Sequence, residues 1–217
     1  MISRQTLLLH RAAKPVLFVA CLLPFFWLLY GALSNQLGAN PAEALIRATG
    51  DWTLRFVCIV LSVTPLRVIS HTPALIRFRR MLGLFVYFYV LLHLLSYSWF
   101  DMGFDVADIA KDIVKRPFIL VGFSAFVLLT PLAATSFNAA IRALGGKRWQ
   151  RLHKLVYLIA GLGLLHFFWM RAGKNNFTEV FVYAGIIAVL LGWRVWHRWG
   201  PRQAALNRPP KRIVSPG

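Results

Sequence analysis

Three histidines stand inside, or at the edge of, runs apolar enough to cross a membrane. His93 lies in "MLGLFVYFYVLLHLLSYSWF" (81–100), and His153 and His166 lie near the two ends of "WQRLHKLVYLIAGLGLLHFFW" (149–169). An ionisable side chain at membrane depth is a functional candidate by default. At 1.5 Å per residue, His93 sits about 18 Å into its helix and His166 about 24 Å along its own, counted from the same side. Two imidazoles at matched depth on different helices favour ligation over a simple interhelical hydrogen bond. No carboxylate, cysteine or further histidine accompanies the pair in sequence to complete a tetrahedral zinc site. A porphyrin supplies four nitrogens itself and asks only for axial ligands, so haem b held between helices by His93 and His166 is the better fit.

His153 is thirteen residues before His166, about 19.5 Å of rise and about 140° around a straight helix. The two are not expected to ligate one haem. His153 is a candidate ligand for a second one, with His71, another residue or nothing as its partner. His10, His71 and His197 fall at or outside the membrane boundary and read as solvated. Gly161 and Gly163 would admit a flat ring, or simply allow close helix packing. The arginines at 77, 79, 80, 148 and 151 would suit propionates or a phosphate, but the charge pattern of a membrane protein already accounts for them.

These residues need helices to carry them. Of 217 residues 58% are hydrophobic, and the mean hydropathy is +0.60, too high for a soluble domain. Hydropathy gives six spans, near 15–33, 52–69, 81–100, 117–135, 150–170 and 178–196. The fold class is therefore all-α, an integral membrane bundle of six transmembrane helices. The second span is the weakest, interrupted by Arg55 and Arg67; Arg55 is expected to snorkel outward and pair with Asp51 four residues before it.

Charge sets the orientation. Eighteen of the 25 Lys and Arg residues fall on the side of the two termini, while all seven acids and the other seven bases fall opposite. The net charge of +18 thus belongs to one face, which the positive-inside rule makes cytoplasmic, with both termini there. The basic residues are spread between apolar runs and form no single patch, which argues against nucleic acid as a partner. The start of the chain has some look of a signal peptide, but its uncharged stretch, 15–42, is longer than a typical one, and its removal would spoil the even number of spans. Residues 1–199 read as one membrane domain, and 200–217 as a basic cytoplasmic tail, disordered and suited to anionic lipid. Cys21 and Cys58 both lie in apolar runs, so no disulfide framework is expected. No CxxCH, CxxC, HExxH or Walker motif is present.

"RFRRMLGLFVYFYVLLHLLSY" (77–97), "RPFILVG" (116–122) and "TSFNAAIRALGGKRWQRLHKLVYLIAGLGLLHFFW" (135–169) resemble the MsrQ (formerly YedZ) family. Its members are haem-binding membrane subunits of periplasmic protein-methionine-sulfoxide reductase systems, in the wider ferric reductase-like transmembrane group. The resemblance runs over residues 10 to 200, and W-x-x-L-H with a second histidine thirteen residues later is its most specific part. It implies haem ligation by His93, His153 and His166, and a bound FMN. It also implies electron transfer from the quinone pool, across the inner membrane, to a periplasmic molybdenum-dependent catalytic subunit. A cytoplasmic flavin reductase is the alternative donor. The methionine sulfoxide reductase site itself would then lie on the partner. The third span carries one histidine where eukaryotic oxidases of the wider group carry two, and only eighteen residues follow Trp199, too few for an FAD/NADPH domain.

Alternatives are a ferric reductase or other quinol-oxidising cytochrome b, and a haem-free membrane scaffold. A transporter is disfavoured because no acid is expected at mid-depth. The acidic stretch 100–117 is a candidate docking loop for the periplasmic partner.

Overall fold

The computed structural model describes residues 8–173 and 177–206. Among these there is no strand, and six helices are long and apolar enough to cross a membrane. In chain order the helices are α1 (Ala13–Leu33), α2 (Pro41–Ile69), α3 (Arg79–Phe100, entered through a 3₁₀ turn at Pro73–Phe78), α4 (Val106–Lys115), α5 (Pro117–Ala134), α6 (Asn138–Leu144), α7 (Gly146–His153), α8 (Leu155–Ala172) and α9 (Thr178–Leu206). The protein is a multi-pass membrane protein. Of the expected tail, 200–206 continue α9 as helix, and 207–217 lie outside the described residues.

Helix α2 differs most from its sequence forecast, starting eleven residues early. Asn40 caps it: its Oδ1 accepts the Glu43 backbone N–H at 3.1 Å, its amide donates to Glu43 Oε2 at 3.3 Å, and Pro41 opens the first turn. Such a reciprocal cap starts a helix where hydropathy sees only charge. The same helix is also the most buried. Leu54, Phe56, Val57, Val60, Leu61 and Val63 are all in the core, and 44% of its apolar window is buried against 11% for α1. A span that faces protein rather than lipid needs less continuous hydrophobicity, which explains why the weakest span is the central one.

Arg55 does not pair with Asp51. Its Nε donates to the Tyr183 hydroxyl on α9 at 3.1 Å, and its guanidinium lies 4.7 Å above the Trp52 ring. Arg55 faces the α2–α9 interface, where a phenol and an indole face are the available partners.

Beside two helix prolines, side chains from other helices bond the backbone. Tyr89 on α3, fully buried, inserts its hydroxyl beside Pro24 of α1, accepting from Phe25 N–H (3.1 Å) and donating to the Cys21 carbonyl (2.8 Å). Pro65 has no N–H for the Leu61 carbonyl, and Arg194 of α9 donates to it from Nη2 at 2.6 Å. In lipid such orphan groups must be met from within the protein.

Helix α4, expected as a loop, lies at the end of the bundle where α3 stops and α5 begins. Asp105 caps it by accepting from the N–H groups of Ala107 and Asp108 (2.9 and 3.0 Å). Asp112 latches it, accepting from the Tyr97 hydroxyl and from Arg116 Nε, both at 2.5 Å, with a second bond from the Arg116 guanidinium. Partial burial works against the charged carboxylate, but the bonds from Arg116 and Tyr97 outweigh it and hold Asp112 below the usual carboxylate range. The same bonds raise Arg116.

Candidate functional site

His93 of α3 and His166 of α8 come together, as their matched depth implied. Their ring centres are 6.1 Å apart with planes at 75°. Both line one cavity of about 310 Å³, walled by α2, α3, α5 and α8. His93 Nδ1 lies 2.8 Å from the Ile46 carbonyl on α2, and His166 Nδ1 lies 2.7 Å from the Phe118 carbonyl on α5. A carbonyl only accepts, so each Nδ1 must carry the proton, and each Nε2 is left with its lone pair. This is the tautomer of a metal-ligating histidine whose other nitrogen is fixed by an outer-shell acceptor.

The spacing can be tested against a metal. With a metal–imidazole bond of about 2.0–2.1 Å and about 1.1 Å from ring nitrogen to ring centre, two rings on opposite sides of one metal lie about 6.3 Å apart. The observed separation of the ring centres, 6.1 Å, is of that size. No cluster of three or more His, Cys, Asp or Glu able to hold a metal exists among the described residues. A centre here must therefore bring its remaining ligands with it, as a porphyrin does. The cavity lining is largely apolar, with Leu54, Val86, Val90, Phe126 and Leu129, and is charged at the α4 end, with Glu43, Arg47, Asp101 and Arg116. Burial raises the Asp101 carboxyl.

Sequence reasoning missed two glycines and misplaced one acid. Gly50 of α2 backs the His93 ring and Gly122 of α5 backs His166, whereas the glycines singled out in sequence, Gly161 and Gly163, have nothing within 4 Å of a would-be Cβ. Of that pair only Gly163 borders the cavity. A glycine four residues beyond a carbonyl is no signal until the partner helix is known. Asp51, which follows Gly50, also borders the cavity at the level of His93. An acid is thus present at this depth, because α2 begins ten residues before Asp51 rather than just beside it.

His153 is elsewhere. It ends α7, which a single turn residue with right-handed backbone, Lys154 (φ −71°, ψ −18°), joins to α8 in one apolar span. It lines a second, smaller cavity of about 70 Å³ with Arg79, Arg80, Gly83 and Trp149. The two cavities share Val57, Val86, Leu129 and Ile159 as walls. The Thr135 hydroxyl donates to the Pro131 carbonyl at 2.7 Å, so it accepts from His153 Nε2 at 3.2 Å. Trp149 stacks on the ring at 4.0 Å and donates from Nε1 to the Thr135 carbonyl at 2.9 Å. In this arrangement Nδ1 is the nitrogen with the lone pair, the reverse of the other two. His71 does not line this cavity, and His10 and His197 are exposed.

Residues 49–164, a stretch holding His93 and His153, match the family described as "Ferric reductase like transmembrane component". The chain is 83% identical over 199 residues to a protein of Polaromonas naphthalenivorans (strain CJ2) named protein-methionine-sulfoxide reductase heme-binding subunit MsrQ, covering 92% of this chain and 91% of that one. The chain belongs to the MsrQ family. MsrQ proteins of the same printed name from Herminiimonas arsenicoxydans and Xanthomonas campestris pv. campestris (strain B100) are 57% and 44% identical. The first match covers 87% of each chain, and the second covers 92% of this chain and 94% of the relative. No solved structure matches the chain.

Proposed function

We propose that this protein is the b-type cytochrome subunit of a protein-methionine-sulfoxide reductase system in a bacterial inner membrane. The observation that carries the reading is the pair His93 and His166, 6.1 Å apart in one cavity with both Nδ1 atoms committed to backbone carbonyls. The relatives' printed names, heme-binding subunit MsrQ, supply the system. Haem, when bound, supplies an iron that takes up and gives back one electron at a time.

In this reading His93 and His166 would hold the haem on the α4 side, and the carbonyls of Ile46 and Phe118 keep each Nε2 lone pair free for it. The apolar walls keep water from the ring, and Asp112 holds α4 over the charged mouth. His153 would serve a second haem towards the other face. Its Nε2 is tied to Thr135, so ligation calls for breaking that bond or using Nδ1.

Both termini are cytoplasmic in this reading, by the positive-inside rule, and the α4 side is periplasmic. Electrons enter from the quinone pool or a cytoplasmic flavin reductase, with FMN as a further cofactor by family resemblance. They leave to a periplasmic molybdenum-dependent subunit that reduces methionine sulfoxide in oxidised proteins. The reductase site lies on that partner, and the stretch 100–117 is the docking candidate.

A visible spectrum of the purified full chain expressed with ample haem tests the cytochrome reading directly. A reducible b-type spectrum is expected, and a colourless protein would sink it in favour of a haem-free scaffold. The ferric reductase-like match also suits a cytochrome with another acceptor. Reoxidation of the reduced protein by the partner subunit, but not by ferric chelates, separates the two.

A further inference from the structure

One local device holds both cavity imidazoles, on two different helices. On α2 the acceptor is the Ile46 carbonyl, and four residues on stands Gly50; on α5 the acceptor is the Phe118 carbonyl, and four residues on stands Gly122. In an α-helix the carbonyl of residue i points along the axis towards the N–H of residue i+4. An imidazole reaching that carbonyl from the side therefore lies against the Cα of residue i+4. A Cβ at position 50 would stand 3.1 Å from Cε1 and 3.2 Å from Nδ1 of His93. One at position 122 would stand 2.7 Å from Nδ1 and 2.9 Å from Cε1 of His166.

Contact with an imidazole is confined to these two glycines. Gly83, Gly161, Gly163, Gly185 and Gly192 also lie in the long helices, and none has any atom within 4 Å of a would-be Cβ, while Gly31 of α1 meets only the Leu37 side chain, at 2.9 Å. His153 has no such support, because its ring meets a threonine hydroxyl instead of a backbone carbonyl.

We propose that Gly50 and Gly122 are positioning residues for metal ligation. Each forms, with the carbonyl four residues earlier, a cradle that fixes one imidazole with its proton on Nδ1 and its lone pair on Nε2. The proposal rests on the haem-ligand reading of His93 and His166. The cradles place the two rings independently of any cofactor, and they do so from α2 and α5, the helices that carry neither ligand. A methyl group at 122 meets ring atoms well inside contact distance, and the ring is bounded on its other side by the cavity. The ring must therefore move into the space meant for the ligand it holds. At 50 the overlap is smaller, and a shift of a few tenths of an ångström relieves it.

The test uses the haem-loaded full chain with Gly122→Ala, Gly50→Ala and, as a control, Gly185→Ala on the exposed face of α9. Low-spin electron paramagnetic resonance signal and reduction midpoint are read for each, with detergent-solubilised yield and helical circular dichroism reporting folding. Gly185→Ala should match the parent. Gly122→Ala should lose most of the low-spin signal of the His93/His166 haem. Gly50→Ala should keep that signal with shifted g values and a higher midpoint, because a longer Nδ1–H···O bond makes the imidazole a weaker donor. If Gly122→Ala fails to accumulate, Gly50→Ala alone decides. A parent that binds haem, with folded Gly122→Ala and Gly50→Ala indistinguishable from Gly185→Ala, overturns the cradle. A parent that takes up no haem overturns instead the reading on which the cradle rests.

Discussion

Replacing Tyr89 by Phe removes one oxygen atom from the protein interior and little else. The ring keeps its volume and its stacking on Phe56, 5.0 Å away at 15°, so no cavity term of consequence arises. The hydroxyl bridges Phe25 N–H and the Cys21 carbonyl across the turn that contains Pro24, and it is fully buried. Two interhelical hydrogen bonds in a membrane protein are worth together about 1 kcal/mol, at an average near 0.6 kcal/mol each. If both backbone groups stayed unpaired in the interior, the loss would reach about 2–6 kcal/mol. The turn has a partial escape. Phe25 N–H and the Cys21 carbonyl are natural i to i−4 partners, so a small straightening of α1 lets them meet. Destabilisation of about 1–3 kcal/mol is therefore expected, between the bond value and the unrelieved penalty. Reversible unfolding in mixed micelles, followed by far-ultraviolet circular dichroism, measures it. The haem spectrum should be unchanged, since His93 is held from α2 and not from α1. A loss below about 0.5 kcal/mol would refute the idea that Tyr89 closes the break at Pro24, because even two average bonds exceed that.

Unequal histidines are expected in haem content: His93→Ala and His166→Ala should each abolish the low-spin signal of one haem, while His153→Ala leaves that signal intact and lowers only the total haem. Loss of all haem in His153→Ala alone would place the cofactor in the other cavity. Reporter fusions after Leu206 and near Asp105 should give opposite sides of the membrane, cytoplasmic and periplasmic; agreement between them would overturn the charge-based orientation. Asp112 is held below its ordinary range when folded, so its contribution to docking α4 is fully present above that range and is lost as pH falls through the lowered value. Protection of the 106–115 amides, taken relative to the intrinsic exchange rate at each pH, should accordingly be high at neutral pH and fall in acid, and Arg116→Ala should show the low protection already at neutral pH. An unchanged rate in that variant would mean the latch does not hold the helix.

The six spans and the separation of charge were legible in the sequence because both are one-dimensional properties: bilayer thickness fixes a run length, and loop charges alternate with it. The pairing of His93 with His166 was legible for the same reason, since depth along a helix is counted in residues. The true start of α2 was written in Asn40, Pro41 and Glu43, but capping is a local signal that a hydropathy window averages away. What those three residues decide is large, because they put Ile46, Gly50 and Asp51 on a helix beside His93.

Tertiary structure alone decided the rest. Arg55 turned from Asp51 to Tyr183, and Arg194 found the Leu61 carbonyl, because those partners are more than a hundred residues away in sequence. The tautomers of the two imidazoles were likewise invisible. A histidine in a sequence has two distinct nitrogens for its proton, and only a carbonyl from another helix, reached over a bare glycine Cα, chooses Nδ1 here.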